Sequence, residues 1–129
     1  MEYTEIWKMM ERKKHTAPTP DDMKHLQDTL YVISGKWKLP ILHSLANGNR
    51  KFRELQRSIP GITPKMLTRE LRELELNGFI QRKPSNAFTT ITDYEVTYYC
   101  KSFETIIVQM IEWGKRHHDF ITGQKVTVL

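Results

Sequence analysis

Apolar residues recur every three to four positions through most of the chain, which is the spacing of amphipathic helices. This spacing predicts six helices, over residues 3–14, 21–34, 36–46, 52–59, 64–76 and 98–121. Two proline residues within the segment 16–20 interrupt the pattern and predict a linker after the first helix. Turn residues follow the later helices, and Pro60-Gly61 ends the fourth.

The pattern changes to that of β-strands between the last two helices. Residues 79–83 and 89–97 are predicted to be strands, and residues 84–87 form a turn between them. Two strands alone are marginally stable in water, so this hairpin must pack against the helices. The predicted fold class is therefore mainly α with a small β hairpin (α+β).

The helix predicted over residues 64–76 has two opposite faces. Thr63 is a suitable N-cap, Pro64 fits the first helical position, and Gly78 follows the end of the helix. An advance of about 100° per residue separates the leucines from the cations. Leu67, Leu71 and Leu74 share one face, and Lys65, Arg69 and Arg72 share the other. The leucines are expected in the core.

Positive charge is concentrated in the middle of the chain. The net charge is +5, but residues 36–85 hold eleven Lys/Arg against four Glu. The remaining residues carry nine basic and eleven acidic side chains. A local excess of this kind is typical of a surface that docks on phosphates. A solvated basic face without a partner, with pairs to Glu70 and Glu73, is the alternative.

A short helix, a Pro-Gly turn, a capped basic helix and a hairpin follow one another as in a winged helix-turn-helix. The major groove of DNA admits one helix, whose N-terminal half presents hydrogen-bond donors to bases and phosphates. We therefore expect double-stranded DNA as the partner. The expected contacts come from the recognition helix, the start of the preceding helix and the wing: Thr63, Lys65, Met66, Thr68, Arg69 and Arg72; Lys51 and Arg53; Arg82 and Lys83.

Several motifs resemble those of the HxlR family of bacterial transcriptional regulators. They are Gly35-Lys36-Trp37-Lys38-Leu39, Phe52-Arg53-Glu54-Leu55, Pro60-Gly61-Ile62-Thr63-Pro64-Lys65-Met66-Leu67-Thr68, Leu71-Arg72-Glu73-Leu74-Glu75-Leu76-Asn77-Gly78, Tyr94-Glu95-Val96-Thr97 and Glu112-Trp113-Gly114. The likeness spans about residues 24–114 without an evident gap. It implies a homodimer built from the N- and C-terminal helices, whose two recognition helices read a two-fold operator.

The two terminal helices are expected to form the dimer interface. The apolar stripe of the final helix is broader than one small domain can bury, and the short first helix also needs a partner surface. The expected interface residues are Tyr3, Ile6, Trp7, Met10, Phe103, Ile107, Met110 and Trp113. The predicted division is an arm and linker over 1–20, a winged helix-turn-helix domain over 21–97, and a dimerisation helix and tail over 98–129.

Two positions depart from the family pattern. Lys24 stands where many members have a redox-sensing cysteine, and Ile91 stands where the wing often has an arginine. The only cysteine, Cys100, falls in the final helix and is expected to be a small buried apolar residue. Thiol sensing of the family's kind is therefore not expected, and the wing is expected to rely on Arg82 and Lys83.

Other classes of function find little support. The chain has no Cys/His cluster with zinc spacing, no glycine-rich phosphate loop and no nucleophile motif, so we expect no metal, no cofactor and no enzyme activity. It shows no signal peptide or membrane span, which predicts a cytoplasmic protein without membrane contact. We expect a homodimeric, sequence-specific repressor, with an unidentified small-molecule effector as a candidate further partner. The alternative is a winged-helix module that binds protein without specific DNA binding.

Overall fold

The computed structural model describes residues 19–88 and 92–123. Within them lie five helices and two strands: α1 Pro20–Val32, α2 Lys38–Ala46, α3 Phe52–Ser58, α4 Pro64–Leu76, β1 Ile80–Pro84, β2 Thr92–Val96 and α5 Tyr98–Thr122. This order confirms the predicted fold class, mainly α with a small β hairpin. The helix expected over residues 3–14 lies outside the described residues.

The chain divides into two compact units between Ser34 and Gly35. In the first unit, α1 begins at Pro20, within the segment expected to be a linker. Thr19 explains the earlier start, because its hydroxyl accepts from the Asp22 backbone N–H at 3.1 Å. The Asp22 carboxylate in turn accepts from the Thr19 N–H at 3.2 Å, which completes a capping box.

The core of the second unit forms where α2, α3, α4 and the hairpin meet. Its buried apolar side chains are Ile41, Leu42, Leu45, Leu55, Ile59, Ile62, Leu67, Leu71, Leu74, Phe79, Ile80 and Cys100. Gly61 makes the turn between α3 and α4 with a φ of +84°, a left-handed conformation that favours glycine. This turn sets the direction in which α4 leaves α3.

The hairpin is antiparallel and pairs Ile80 with Val96 and Pro84 with Thr92. Its second strand is attached to the loop before α3, because the Tyr94 N–H donates to the Arg50 carbonyl at 2.8 Å. Residues 89–91, expected in this strand, lie outside the described residues, and Ile91 is among them. The bond from Tyr94 holds the middle of the hairpin against the helical part of the domain, and a two-stranded hairpin needs such support because it is only marginally stable alone.

The long helix α5 buries little of its apolar surface within the chain. Of its 25 residues only Cys100 is buried. Its large exposed apolar side chains include Ile106, Val108, Met110, Ile111, Trp113, Phe120 and Ile121. In the described ranges, no helix combines the length and the apolar character needed to cross a membrane.

Thr97 links the end of α4, the hairpin and α5. Its hydroxyl accepts from the Cys100 N–H at 3.1 Å, which caps α5, and donates to the Gly78 carbonyl at 2.6 Å. Its own N–H donates to the Phe79 carbonyl at 3.0 Å. One side chain therefore satisfies backbone groups of two segments that are distant in sequence.

Replacing Thr97 by valine keeps the side-chain shape and removes every hydrogen bond of the hydroxyl. We expect Thr97→Val to lower the free energy of unfolding by about 1–2 kcal/mol, the range for a lost N-cap. Thr122→Val is the matched control, since the Thr122 hydroxyl bonds only to carbonyls of the preceding turn of the same helix. Urea titration followed by circular dichroism measures both. Equal stability of the two variants would show that the Thr97 hydroxyl does not link these segments.

Candidate nucleic-acid interface

The helix α4 begins and ends at the residues that its sequence indicates. The Thr63 hydroxyl accepts from the Met66 N–H at 3.2 Å, and Pro64 occupies the first turn. Asn77 is the C-cap, and Gly78 follows with a φ of +77°. At this end of α4, Thr63, Pro64 and Lys65 are exposed, whereas Met66 is half-buried and Leu67 is buried.

The two faces of α4 are separated as the periodicity predicts. Its leucines are buried: Leu67, Leu71 and Leu74. Its cations are exposed: Lys65, Arg69 and Arg72. Among the ion pairs of residues 19–88 and 92–123, Lys65 and Arg72 have none, and Arg69 has one contact of 3.5 Å with Glu70. Guanidinium and ammonium groups on this face are therefore free to bind an external anion.

Two uncharged residues of the predicted contact set differ in what they offer. Thr68 is exposed, although its hydroxyl donates to the Pro64 carbonyl at 2.8 Å. The oxygen of that hydroxyl still has accepting capacity. Met66 is half-buried and has no strong polar group. Its contribution is limited to apolar contact.

The two cations at the start of α3 are placed differently. Lys51 is committed within the domain, because its ammonium group lies 3.1 Å from Asp93 and 3.2 Å from the Ser85 hydroxyl. Hydrogen bonds from Ser85 and then Lys51 lower the pKa of Asp93. Arg53 is exposed and lies beside Arg57 on an open concave surface next to the Pro60-Gly61 turn. Its guanidinium group has no ion pair within the described ranges.

The wing cations that the sequence predicts as phosphate contacts pair with carboxylates of the same domain. Arg82 binds Glu75 through two nitrogens, at 2.8 and 3.2 Å. Lys83 lies 2.8 Å from Glu95, and its hydrogen bond is the main cause of the lowered pKa of that carboxyl group. Both ion pairs lie at the surface. Each offsets one positive charge of the wing, and the side chains of Arg82 and Lys83 stay exposed to solvent.

Lys38 is a residue that the sequence reasoning missed. It lies on α2, is buried, and faces two carboxylates of α4: Glu70 at 2.6 Å and Glu73 at 2.5 Å. The available signal was a lysine inside the mostly apolar segment 37–42, in a helix expected to face the core. A charge in a core segment requires a partner.

The expected dimer residues on α5 lie along one side of the helix. Phe103 and Ile107 are half-buried, and the Phe103 ring stacks on Phe79 with centroids 5.9 Å apart. Met110 and Trp113 are exposed, and the Trp113 ring stacks on His117 at 4.8 Å. The remaining four expected residues, Tyr3, Ile6, Trp7 and Met10, lie outside the described residues.

Cys100 lies at the floor of an apolar groove between α2 and α5. The groove has a volume of about 370 Å³, and Leu42, Ile107 and Ile111 are among its lining residues. Cys100 is 4% exposed, and burial, with a smaller contribution from Glu104, raises the pKa of its thiol. The thiolate, which is the reactive form of cysteine, is therefore disfavoured here.

Comparison with known proteins places this geometry among transcriptional regulators. The HTH-type transcriptional regulator YtcD of Bacillus subtilis (strain 168) is 39% identical over 120 residues, covering 93% of this chain and 90% of the relative. The structure of the redox regulator HypR in its reduced form superimposes with a TM-score of 0.69 at 36% identity, covering 76% of this chain and 97% of HypR. A regulator of the MarR family from Enterococcus faecalis V583 superimposes with a TM-score of 0.68 at 29% identity, covering 83% of this chain and 97% of that structure.

The family assignment follows from the extent of these matches. The profile of the HxlR-like helix-turn-helix family matches residues 32–121, which include α2 to β2 and most of α5. The relatives are transcriptional regulators and not enzymes. The sequence resemblance is thereby confirmed, and with it the general class of a DNA-binding regulator. The chain belongs to the HxlR-like helix-turn-helix family.

Proposed function

We propose that this protein binds a two-fold DNA operator sequence-specifically as a homodimer and represses transcription there. The observation that carries the proposal is the exposed face of α4, where Lys65, Arg69 and Arg72 lie opposite the buried leucines. A helix fits the major groove, and an arginine can donate two hydrogen bonds to the O6 and N7 atoms of guanine. A protein-binding module would expose several apolar anchors on this face. Among the described residues of α4, Leu76 at the C-terminal end is the one large apolar side chain that is exposed.

Base recognition is assigned to the first three turns of α4. Arg69 is 62% exposed in its side chain and lies on the second turn, where it can reach the floor of the groove. Lys65 and Thr68 flank it on the same exposed surface. Thr63 is committed to capping through its hydroxyl, so it contributes mainly by orienting the N-terminal turn.

Phosphate contacts are assigned first to Arg53 and then to the cations that are paired within the domain. Arg53 has no competing carboxylate among the described ion pairs, whereas Lys51, Arg82 and Lys83 each have one. Exposed ion pairs are worth about 0–1 kcal/mol, so a phosphate can displace them at small cost. The wing thus contributes a weaker, salt-sensitive contact.

Dimerisation is assigned to the exposed apolar side of α5. A helix of 25 residues is about 37 Å long at 1.5 Å per residue, which is enough for an extended contact. A two-fold interface brings the same patch of both chains together, so a single apolar stripe can serve both. We include Phe103, Ile107, Met110 and Trp113 in this interface, together with the N-terminal residues of the stripe that begins at Tyr3.

Repression is the simplest consequence of such a complex. A dimer seated on an operator blocks access of polymerase without needing a further surface, and it acts on the chromosome, in the cytoplasm.

The groove lined by Cys100 has the size of a small-ligand site. Its lining is mainly apolar and includes a few polar side chains, which supports an effector there.

Substitutions in the two groups of cations separate base recognition from phosphate contact. Arg69→Ala should weaken operator binding by ~1–3 kcal/mol and binding to scrambled DNA much less, because a base contact is lost. Arg53→Ala should weaken both to a similar extent and lower the salt slope by about one unit. Fluorescence anisotropy with genomic fragments that co-purify with the protein, and with scrambled duplexes, at several salt concentrations measures both.

Lys115→Ala on α5 is the matched control, since it removes one exposed cation at a distance in sequence from both helices. It should leave both affinities unchanged. If Arg69→Ala weakened the two duplexes equally, Arg69 would be a phosphate contact, and specificity would have to come from Lys65, Thr68 or DNA shape.

A charge on the apolar side of α5 tests the dimer. Met110 is 44% exposed in the isolated chain, so Met110→Glu should leave folding intact while placing a carboxylate in the interface. We expect the unsubstituted protein to sediment as a dimer at micromolar concentration, and Met110→Glu to raise the dissociation constant at least roughly tenfold. Thr105→Glu adds the same charge elsewhere on α5 and should remain dimeric. A monomeric unsubstituted chain contradicts the assignment.

A further inference from the structure

The recognition helix is formally neutral, although it is expected to bind a polyanion. Pro64–Leu76 contains three Lys/Arg and three Glu: Lys65, Arg69 and Arg72 against Glu70, Glu73 and Glu75. A neutral helix gains little from the negative field of DNA. The cations that neutralise these carboxylates come from outside the helix, Lys38 from α2 and Arg82 from β1.

Lys38 binds two of the three carboxylates from the buried side of α4. Its ammonium group lies 2.6 Å from Oε2 of Glu70 and 2.5 Å from Oε2 of Glu73. The side chains of Lys38 and Glu70 are only 7% and 8% exposed. Burial by itself lowers the pKa of Lys38, but the hydrogen bonds and charges of the two glutamates outweigh it and raise that pKa. The lysine therefore stays charged at neutral pH.

Arg69 competes with Lys38 for the same two carboxylates. Its guanidinium group is 3.5 Å from Oε1 of Glu70, the oxygen that Lys38 does not hold. Glu73 follows Arg69 by four residues, the spacing at which ion pairs form within a helix. Because Glu73 is held by Lys38, Arg69 keeps a single long contact and an exposed side chain.

A contribution to stability alone does not explain a buried lysine at this position. Removing charges from water costs free energy that their mutual attraction repays only in part, and an apolar residue of similar volume often serves as well. What an apolar residue could not do is neutralise Glu70 and Glu73. The positive charge of Lys38 therefore matters for the net charge of the exposed face of α4.

We propose that Lys38 is a positioning residue for DNA binding: by neutralising Glu70 and Glu73 from inside the domain, it leaves Arg69 exposed with only one long contact and keeps the exposed face of α4 positive. The proposal rests on the DNA binding proposed above. It assigns no DNA contact to Lys38 itself, which is buried. It makes the affinity of α4 for DNA depend on a residue of a different helix.

A double-mutant cycle between Lys38 and Glu73 tests this role. Glu73 is suitable because its side chain is 46% exposed and its replacement by glutamine removes a charge without creating a cavity. The probe is a duplex of random sequence and about 20 base pairs, a length sufficient for one docked domain. Affinity is measured at several salt concentrations, together with thermal unfolding.

In the unsubstituted background, Glu73→Gln should change the affinity less than ~2-fold, because Lys38 already neutralises that carboxylate. Lys38→Met should weaken binding by roughly tenfold and lower the salt slope by about one unit, as Arg69 is captured by Glu73. Adding Glu73→Gln to Lys38→Met should then restore about fivefold of the affinity and the lost slope. Lys115→Met, which removes the same charge from α5, should have no effect.

Should Lys38→Met fail to fold, Lys38→Met/Glu70→Gln replaces it as the background, because the buried carboxylate is then removed with its cation. Glu73→Gln must still raise the affinity in that background. Equal effects of Glu73→Gln with and without Lys38, or a folded Lys38→Met variant with unchanged affinity and slope, overturn the proposal. Absence of any duplex binding by the unsubstituted protein instead overturns the proposed function itself, and this inference with it.

Discussion

The leucine face of α4 packs against α2 and β1, and this contact sets the direction of the opposite face. Leu67 and Leu74 are fully buried and Leu71 nearly so. Burial of a leucine contributes about 1.5–3 kcal/mol, whereas an exposed ion pair contributes about 0–1 kcal/mol. Packing of the three leucines therefore outweighs the exposed ion pairs in setting the orientation of α4. The buried Lys38, which holds Glu70 and Glu73, adds a second link between α2 and α4.

The basic residues of the domain fall into two groups when their partners are considered. Lys38, Lys51, Arg82 and Lys83 bind carboxylates of the same chain at 3.1 Å or less, and Arg69 has one longer contact of 3.5 Å with Glu70. Lys65, Arg72 and Arg53 have no partner among the described ion pairs. Composition cannot distinguish the groups, because both contribute equally to a net charge. The unpaired cations mark a candidate DNA-binding surface on α4 and the start of α3. This surface is smaller than the number of basic residues in 36–85 suggests.

The fold was largely predictable because its signals are local. The leucine spacing of α4, its Thr63 cap and the change to alternating residues after Gly78 each depend on a few neighbouring positions. The start of α1 at Pro20 was missed because Pro18 and Pro20 are both typical of a linker. In the structure, Thr19 caps the helix and Pro20 occupies its first turn. A lysine within an apolar segment indicates that it needs a partner, but the identity of that partner could not be predicted, since Lys38 and Glu70 are 32 positions apart. The pairing of Lys51 with Asp93 likewise depends on tertiary structure.

Nuclear magnetic resonance of the backbone amides during titration with a duplex measures most directly whether the exposed face of α4 is the binding surface. At low salt, the largest shifts should fall on residues 63–72 and around Arg53, with smaller shifts in the wing and none specific to the apolar side of α5. All of them should diminish as salt is raised. Shifts centred on α5, with α4 unchanged, would contradict this account of the protein.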